Sequence, residues 1–191
     1  MQQKLAHYIS NIGNPLFTIS VFAVIALFMT EEPQTALFAT LLIVGGVVIP
    51  ILIKSYRGVQ KGTYTNYDIS NKKQRQSWYV LPTLLLSVIT IILFLTDQSQ
   101  PLRFGVLGAL VLFVLAQIVN IYIKTSLHVG FNTYLAFLVF PLSALVGAGV
   151  LLFSIPLGWS RLVLKRHTWM EVVSGAALGL VVGFGLLLGL K

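Results

Sequence analysis

Six long, largely apolar runs leave this chain few ways to fold. They extend over Pro15 to Met29, Thr35 to Ile53, Trp78 to Thr96, Leu102 to Ile123, Phe131 to Leu157 and Trp169 to Leu190. Most approach the ~20 residues that a helix needs to cross a bilayer core of ~30 Å. A chain of 191 residues that is 57% hydrophobic and 9% charged, with a mean hydropathy of +0.89, has too little polar surface for a soluble domain. The expectation is an all-α, polytopic integral membrane bundle.

The first run lacks a small-x-small cleavage site, ends in Thr30-Glu31-Glu32-Pro33 and leads at once into another, so it reads as a retained span and not a secretory signal. With no cysteine in the chain, disulfides and thiolate metal sites drop out. The net charge of +8 comes without a basic-aromatic module and fits the loops of a membrane protein, not a nucleic-acid surface.

Residues 1–14 form a lead in which Leu5, Tyr8, Ile9 and Ile12 are spaced for one helical face. That spacing suits an interfacial amphipathic helix ending where Asn14-Pro15 turns the chain inward; the bland alternative is a frayed terminus. Residues 15–191 read as one transmembrane domain of six to seven membrane segments. Its only long polar stretch runs from Lys54 to Ser77, and a short turn carrying Asp97, Pro101 and Arg103 joins two later spans. The stretch 129–159 is ambiguous on local grounds. As one helix it would be ~45 Å long with Pro141 near its middle; as two helices turning near Pro141, each would be ~20–28 Å long. In the last run Gly175, Gly179 and Gly183 recur every four residues, a flat stripe for close helix packing.

Ionisable groups near bilayer depth need a reason to be there. Two of the three histidines stand beside basic residues at the ends of apolar runs: His128 after Lys124-Thr125-Ser126-Leu127, and His167 after Arg161, Lys165 and Arg166. On a helix, His167 and Glu171 at i and i+4 would share a face, the carboxylate fixing the imidazole tautomer and leaving the second nitrogen free to attack or to take a proton. Arg161 offers a planar fork for phosphate oxygens, and His128 a proton for a leaving alkoxide. From spacing alone, the competing reading is a positive flank that anchors a helix end.

The spacing Ser160-Arg161, five residues, His167, three residues, then an acid is similar to the third signature of the type-2 phosphatidic acid phosphatase superfamily, whose acid is usually Asp where this chain has Glu171. Thr125-Ser126-Leu127-His128 resembles the second signature, Pro-Ser-Gly-His, keeping its serine and histidine. Asp68-Ile69-Ser70-Asn71-Lys72-Lys73-Gln74-Arg75 resembles a divergent bacterial and archaeal form of the first signature, with Gln76 where the family has proline and Lys72 as the substitute for the family lysine. The resemblance covers about residues 60–185.

It implies a membrane lipid phosphatase of a bacterial or archaeal cell membrane, needing no metal or other cofactor. Its substrate would be a phosphate monoester or diphosphate of a lipid, such as phosphatidic acid, phosphatidylglycerol phosphate or a polyprenyl diphosphate. His167 would be the nucleophile, Glu171 its orienting group and His128 the general acid, with Arg161, Arg75, Lys72 and Ser126 binding the phosphoryl oxygens. A single site requires all three motifs on one face of the membrane. That favours two helices in 129–159, hence seven embedded segments, with the Pro141 turn on the opposite face. On that scheme Lys4, Lys54, Arg57, Lys61, Lys72, Lys73, Arg75, Lys124, Arg161, Lys165 and Arg166 lie on the motif face, and Arg103 and Lys191 with Glu31, Glu32 and Asp97 on the other. The positive-inside rule then turns the motif face to the cytoplasm, although several of these charges are themselves the expected phosphate ligands.

Two other readings compete. A membrane prenyltransferase, prompted by Asn66-Tyr67-Asp68, would need two Asp-rich clusters, and the chain has only Asp68 and Asp97. A lipid-binding or transport protein on the same fold would keep the architecture without the chemistry.

Overall fold

The apolar runs fold as helices, broken where the sequence supplies caps and prolines. A computed structural model describes residues 1–96 and 98–190; Asp97 and Lys191, both assigned above to the face opposite the motifs, lie outside the described residues. Helix α1 (Gln2–Ile12) meets α2 (Pro15–Thr30) at a bend of 45°. The Asn14 side chain accepts from the Leu16 amide, and Pro15 takes the first helical position, where no N–H is needed. Next comes one 28-residue rod: α3 (Pro33–Thr40), a π-helical stretch over Leu41–Val48, and α4 (Ile49–Gln60). Pro50 lacks the N–H that would bond one turn back, and the wider π turns before it accommodate that loss without ending the rod.

Helix α5 (Lys72–Leu95) starts at Asn71, whose side chain accepts from the Lys73 and Gln74 amides; α6 (Gln100–Val119) starts at Ser99. The ambiguous stretch resolves as two helices, α7 (Leu127–Val139) and α8 (Ala144–Val163), with Pro141 in the turn between them. Helix α9 (Trp169–Gly189) closes the bundle. Among the described residues there is no strand.

Five helices are long and apolar enough to cross a membrane: the α3–α4 rod, α5, α6, α8 and α9. The α1–α2 pair qualifies only as a bent unit, and α7, at 13 residues, is too short. The expected six to seven segments are therefore five of full length plus these two special cases. Helix α7 tolerates its length because it is interior: nearly every residue from Leu127 to Ala136 is buried, so protein and not lipid surrounds it. Its polar side chains find partners there. Asn132 donates to the Val150 carbonyl and the Ser154 hydroxyl at 2.8 Å each, and the Tyr134 hydroxyl donates to the Gly105 carbonyl.

The glycine stripe of α9 is the seat of α7. A Cβ at Gly175 would stand 2.4 Å from the Ser126 carbonyl oxygen, and one at Gly179 would stand 2.4 Å from that of Gly130. The backbones meet because no side chain intervenes. Helix α1 docks on α8 through its small residues, with Ala6 and Ser10 buried and a Cβ at Gly13 barred by Leu157. Of the face that suggested an interfacial helix, Leu5, Tyr8 and Ile12 point outward, while Ile9 packs against the cluster of Val129, Leu157 and Val172.

This packing predicts a contrast within α9. Gly179→Ala should lower stability by roughly 1–3 kcal/mol through overpacking against the α7 backbone. Gly185→Ala, where a Cβ meets nothing within 4 Å, should be neutral or slightly stabilising. Thermal unfolding in detergent measures both, and equal effects would contradict the seat.

Candidate functional site

Three polar segments meet at one end of the bundle: the loop 61–71, the connection 120–126 between α6 and α7, and the connection 164–168 between α8 and α9. Lys124 ties all three together. Its ammonium donates to the Arg166 carbonyl at 2.6 Å and the Ser70 carbonyl at 3.4 Å, and lies 3.7 Å from Glu171 Oε2. The three motifs of the sequence thus reach a common face. Lys124 was expected beside His128 on the motif face but not as a tie between the segments, since nothing in the local sequence shows that its carbonyl partners lie 42 and 54 residues away.

His167 lies before α9 and not on it. Thr168 is the N-cap and Glu171 the third residue of the helix, and the two form a capping box. The expected i,i+4 pair therefore exists by a different route from a shared helical face: Glu171 reaches backward over the helix start. Its Oε2 accepts from the Thr168 amide at 3.1 Å and pairs with His167 Nδ1 at 2.9 Å. A carboxylate only accepts, so Nδ1 carries the proton and Nε2 keeps its lone pair. The imidazole side chain is 1% exposed. Burial is the largest influence on it, followed by the charges of Arg75, Arg161, Lys124 and His128; all push its pKa far below the ordinary histidine value, so the ring is neutral.

Arg161, on the last turn of α8, is fully buried. Its main-chain carbonyl accepts from the Arg166 and His167 amides, which folds the connection tightly over it. Its guanidinium donates to Ser10 Oγ on α1 and, at 2.9 Å, to Asp68 Oδ2. Arg166 Nε approaches the same carboxylate oxygen at 3.6 Å, and His128 Nε2 lies 4.0 Å from Oδ1. Burial alone would raise the Asp68 pKa, but Arg161, His128 and Arg166 outweigh it and hold the carboxyl below its usual range. Burial, helped by Arg75 and Arg161, lowers the Lys124 pKa despite Glu171.

Arg75 is buried beside them and holds the loop. Nε donates to the Ile69 carbonyl at 3.2 Å, Nη2 to that of Asp68 at 3.1 Å, and Nη1 to that of Thr125 at 2.8 Å. Ser126 caps α7 with its hydroxyl fully buried and, among the described residues, without a hydrogen-bond partner; Arg161 Nε is in the same state. Lys72 is the one expected phosphate ligand that stands apart. It is exposed and donates to the Tyr122 carbonyl at 3.2 Å, one of the carbonyls past the end of α6 that attract a cation. Among the described residues no three His, Cys, Asp or Glu side chains gather as a metal-ligand set.

A cavity of about 340 Å³ is lined by Asp68, Arg75 and His128 together with apolar side chains. It shares Leu16, Ile19, Phe113 and Phe131 with a larger apolar cavity of about 570 Å³ that extends between the helices away from the charges. Sequence reasoning did not place Asp68, Arg166 or Ser10 in the cluster, because each arrives through a contact between distant segments. No family model, curated protein or solved structure matches the chain.

The buried neutral imidazole predicts a pH dependence of stability. Below about pH 6.5 the unfolded chain gains a proton at His167 that the folded chain does not, so stability is complete above that pH and falls on acidification. The slope from this one group approaches about 1.4 kcal/mol per pH unit. Melting temperatures between about pH 7.5 and 5 should fall less steeply in His167→Gln than in the unaltered protein; parallel curves would contradict the assignment.

Proposed function

We propose that this protein is a membrane phosphohydrolase acting on the phosphate monoester or diphosphate of a lipid. The observation that carries the reading is the His167–Glu171 pair, a neutral imidazole with Nδ1 held by a carboxylate and Nε2 free, set among Arg161, Arg75, Lys124 and His128. A buried nucleophile amid fixed cations suits phosphoryl transfer, in which charge builds on the phosphoryl oxygens and the protein's work is positioning and electrostatic stabilisation. The motif resemblance to the type-2 phosphatidic acid phosphatases points the same way.

In this scheme His167 Nε2 attacks phosphorus as the bond to the lipid oxygen breaks. His128 gives its proton to that departing oxygen, and the phosphoryl group rests on the imidazole. Water then attacks phosphorus, losing a proton to His128, and inorganic phosphate and free His167 are restored. Glu171 holds the ring throughout. Arg161 Nε and the Ser126 hydroxyl, both buried without partners, are the donors best placed to accept new work on the phosphoryl oxygens. Arg75, with three N–H groups already on carbonyls, contributes mainly its charge. Lys72 acts at most from the rim.

A lipid is the natural carrier because the cavity lined by Asp68, Arg75 and His128 shares apolar walls with a larger apolar cavity among helices of membrane length. The excess of basic residues assigned to the motif face supports a cytoplasmic site by the positive-inside rule, with several of those charges serving the site itself.

Phosphate release from phosphatidic acid, phosphatidylglycerol phosphate and undecaprenyl diphosphate, in detergent with chelator present, tests the reading. His167→Ala should abolish release. His128→Asn should slow it by about 10²–10⁴-fold, with much of the loss recovered on an aryl phosphate whose leaving group needs no proton. No release from any of the three by folded, unaltered protein would sink the proposal, leaving a lipid-binding or transport role.

A further inference from the structure

The group standing where a phosphate would bind belongs to the protein itself. Asp68 Oδ2 takes Arg161 at 2.9 Å and Arg166 at 3.6 Å, while Oδ1 faces His128 at 4.0 Å. One guanidinium nitrogen of Arg161, a second arginine and an imidazole nitrogen converging on two oxygens form a set of cationic and polar N–H groups as suited to phosphate as to carboxylate. Asp68 stands outside Arg161 and His128, its side chain 23% exposed where theirs are 1% and 10%, and only Arg166 is more exposed.

The backbone beneath it is fixed. Arg75 grips the carbonyls of Asp68 and Ile69, and Ile69 is held at φ 47°, a left-handed conformation that a β-branched residue adopts only where its surroundings impose it. The carboxylate can leave by rotating its own side chain, with no movement of the loop. A phosphate on Arg161 cannot share that position with it, since two anions at this separation repel.

We propose that Asp68 is an internal competitor for the phosphate seat, so that every phosphate binds by displacing its carboxylate. The identity of the displacing group rests on the phosphohydrolase reading. Displacement weakens all phosphates by the same factor, but the consequences differ. A lipid phosphate retains the binding energy of its apolar part in the adjoining cavities, whereas inorganic phosphate has nothing to offset the cost. The site is therefore shielded from free phosphate and sheds it once the lipid has gone. A merely structural ion pair would have no such effect.

Calorimetric titration of detergent-purified protein with inorganic phosphate tests this directly. Asp68→Asn keeps the shape and removes the charge, and should bind inorganic phosphate at least about tenfold more tightly than the unaltered protein. Equal or weaker binding overturns the proposal. A second measurement needs no variant at the site. The chain has two aspartates, Asp68 and Asp97, so ¹³Cγ-aspartate labelling gives two carboxylate resonances, assigned through Asp97→Asn. Saturating inorganic phosphate should shift the Asp68 resonance, and an unmoved signal overturns the proposal. Neither measurement depends on turnover. Tighter phosphate binding in Asp68→Asn, from a protein that hydrolyses no lipid phosphate, would uphold the competitor and reject the hydrolase. Hydrolysis with unchanged phosphate affinity would do the reverse.

Discussion

Four cations and two histidines crowd one end of this bundle, and two carboxylates hold them there. Charge brought out of water is tolerated only where it is paired and its donors are satisfied. Asp68 serves Arg161 and Arg166, and Glu171 serves His167 and Lys124. With so few acids, the remaining donors turn to main-chain carbonyls: Arg75 takes three and Lys124 two. Those carbonyls belong to the connecting segments, so neutralising the charges and joining the loops are one process. The charged end is assembled by its own electrostatics.

The rest of the molecule holds that end rigid. His128 is the second residue of α7, and His167 and Glu171 flank the start of α9, so the two histidines keep their separation only while these helices keep their register. Direct backbone contact at Gly130, Gly175 and Gly179 locks the register. Nearer the site, the Ser126 amide donates to the Glu171 carbonyl at 2.9 Å, and Thr125 and Ser174 share a hydroxyl hydrogen bond at 2.8 Å. Small residues do here what a disulfide cannot in a chain without cysteine.

Features governed by local chemistry were legible in the sequence. The apolar runs, the Asn14-Pro15 break and the glycine stripe are each decided within a few residues. The requirement that the motifs share a face settled the 129–159 stretch where periodicity could not. The His167–Glu171 contact was anticipated, though for the wrong geometric reason. Thr168 followed three residues later by Glu171 carries the capping-box pattern, which places His167 outside the helix and was there to be read. Illegible were the contacts with large sequence separation: Asp68 with Arg161 across 93 residues, and Lys72 drawn away to Tyr122 across 50. No spacing rule reaches that far. The outward-facing Leu5, Tyr8 and Ile12 show the same limit, since an apolar stripe does not say whether lipid or protein will cover it.

The hydrogen bond from Arg161 to Ser10 joins residues 151 positions apart. A ribosome delivers Ser10 first, Asp68 later and Arg161 later still. The acceptors are therefore already in the membrane when the guanidinium arrives, and the costliest charge to bury is the one synthesised last among its partners. The amino-terminal helix, remote from the motifs in sequence, thus supplies one of the two side-chain acceptors that the guanidinium of the final third requires.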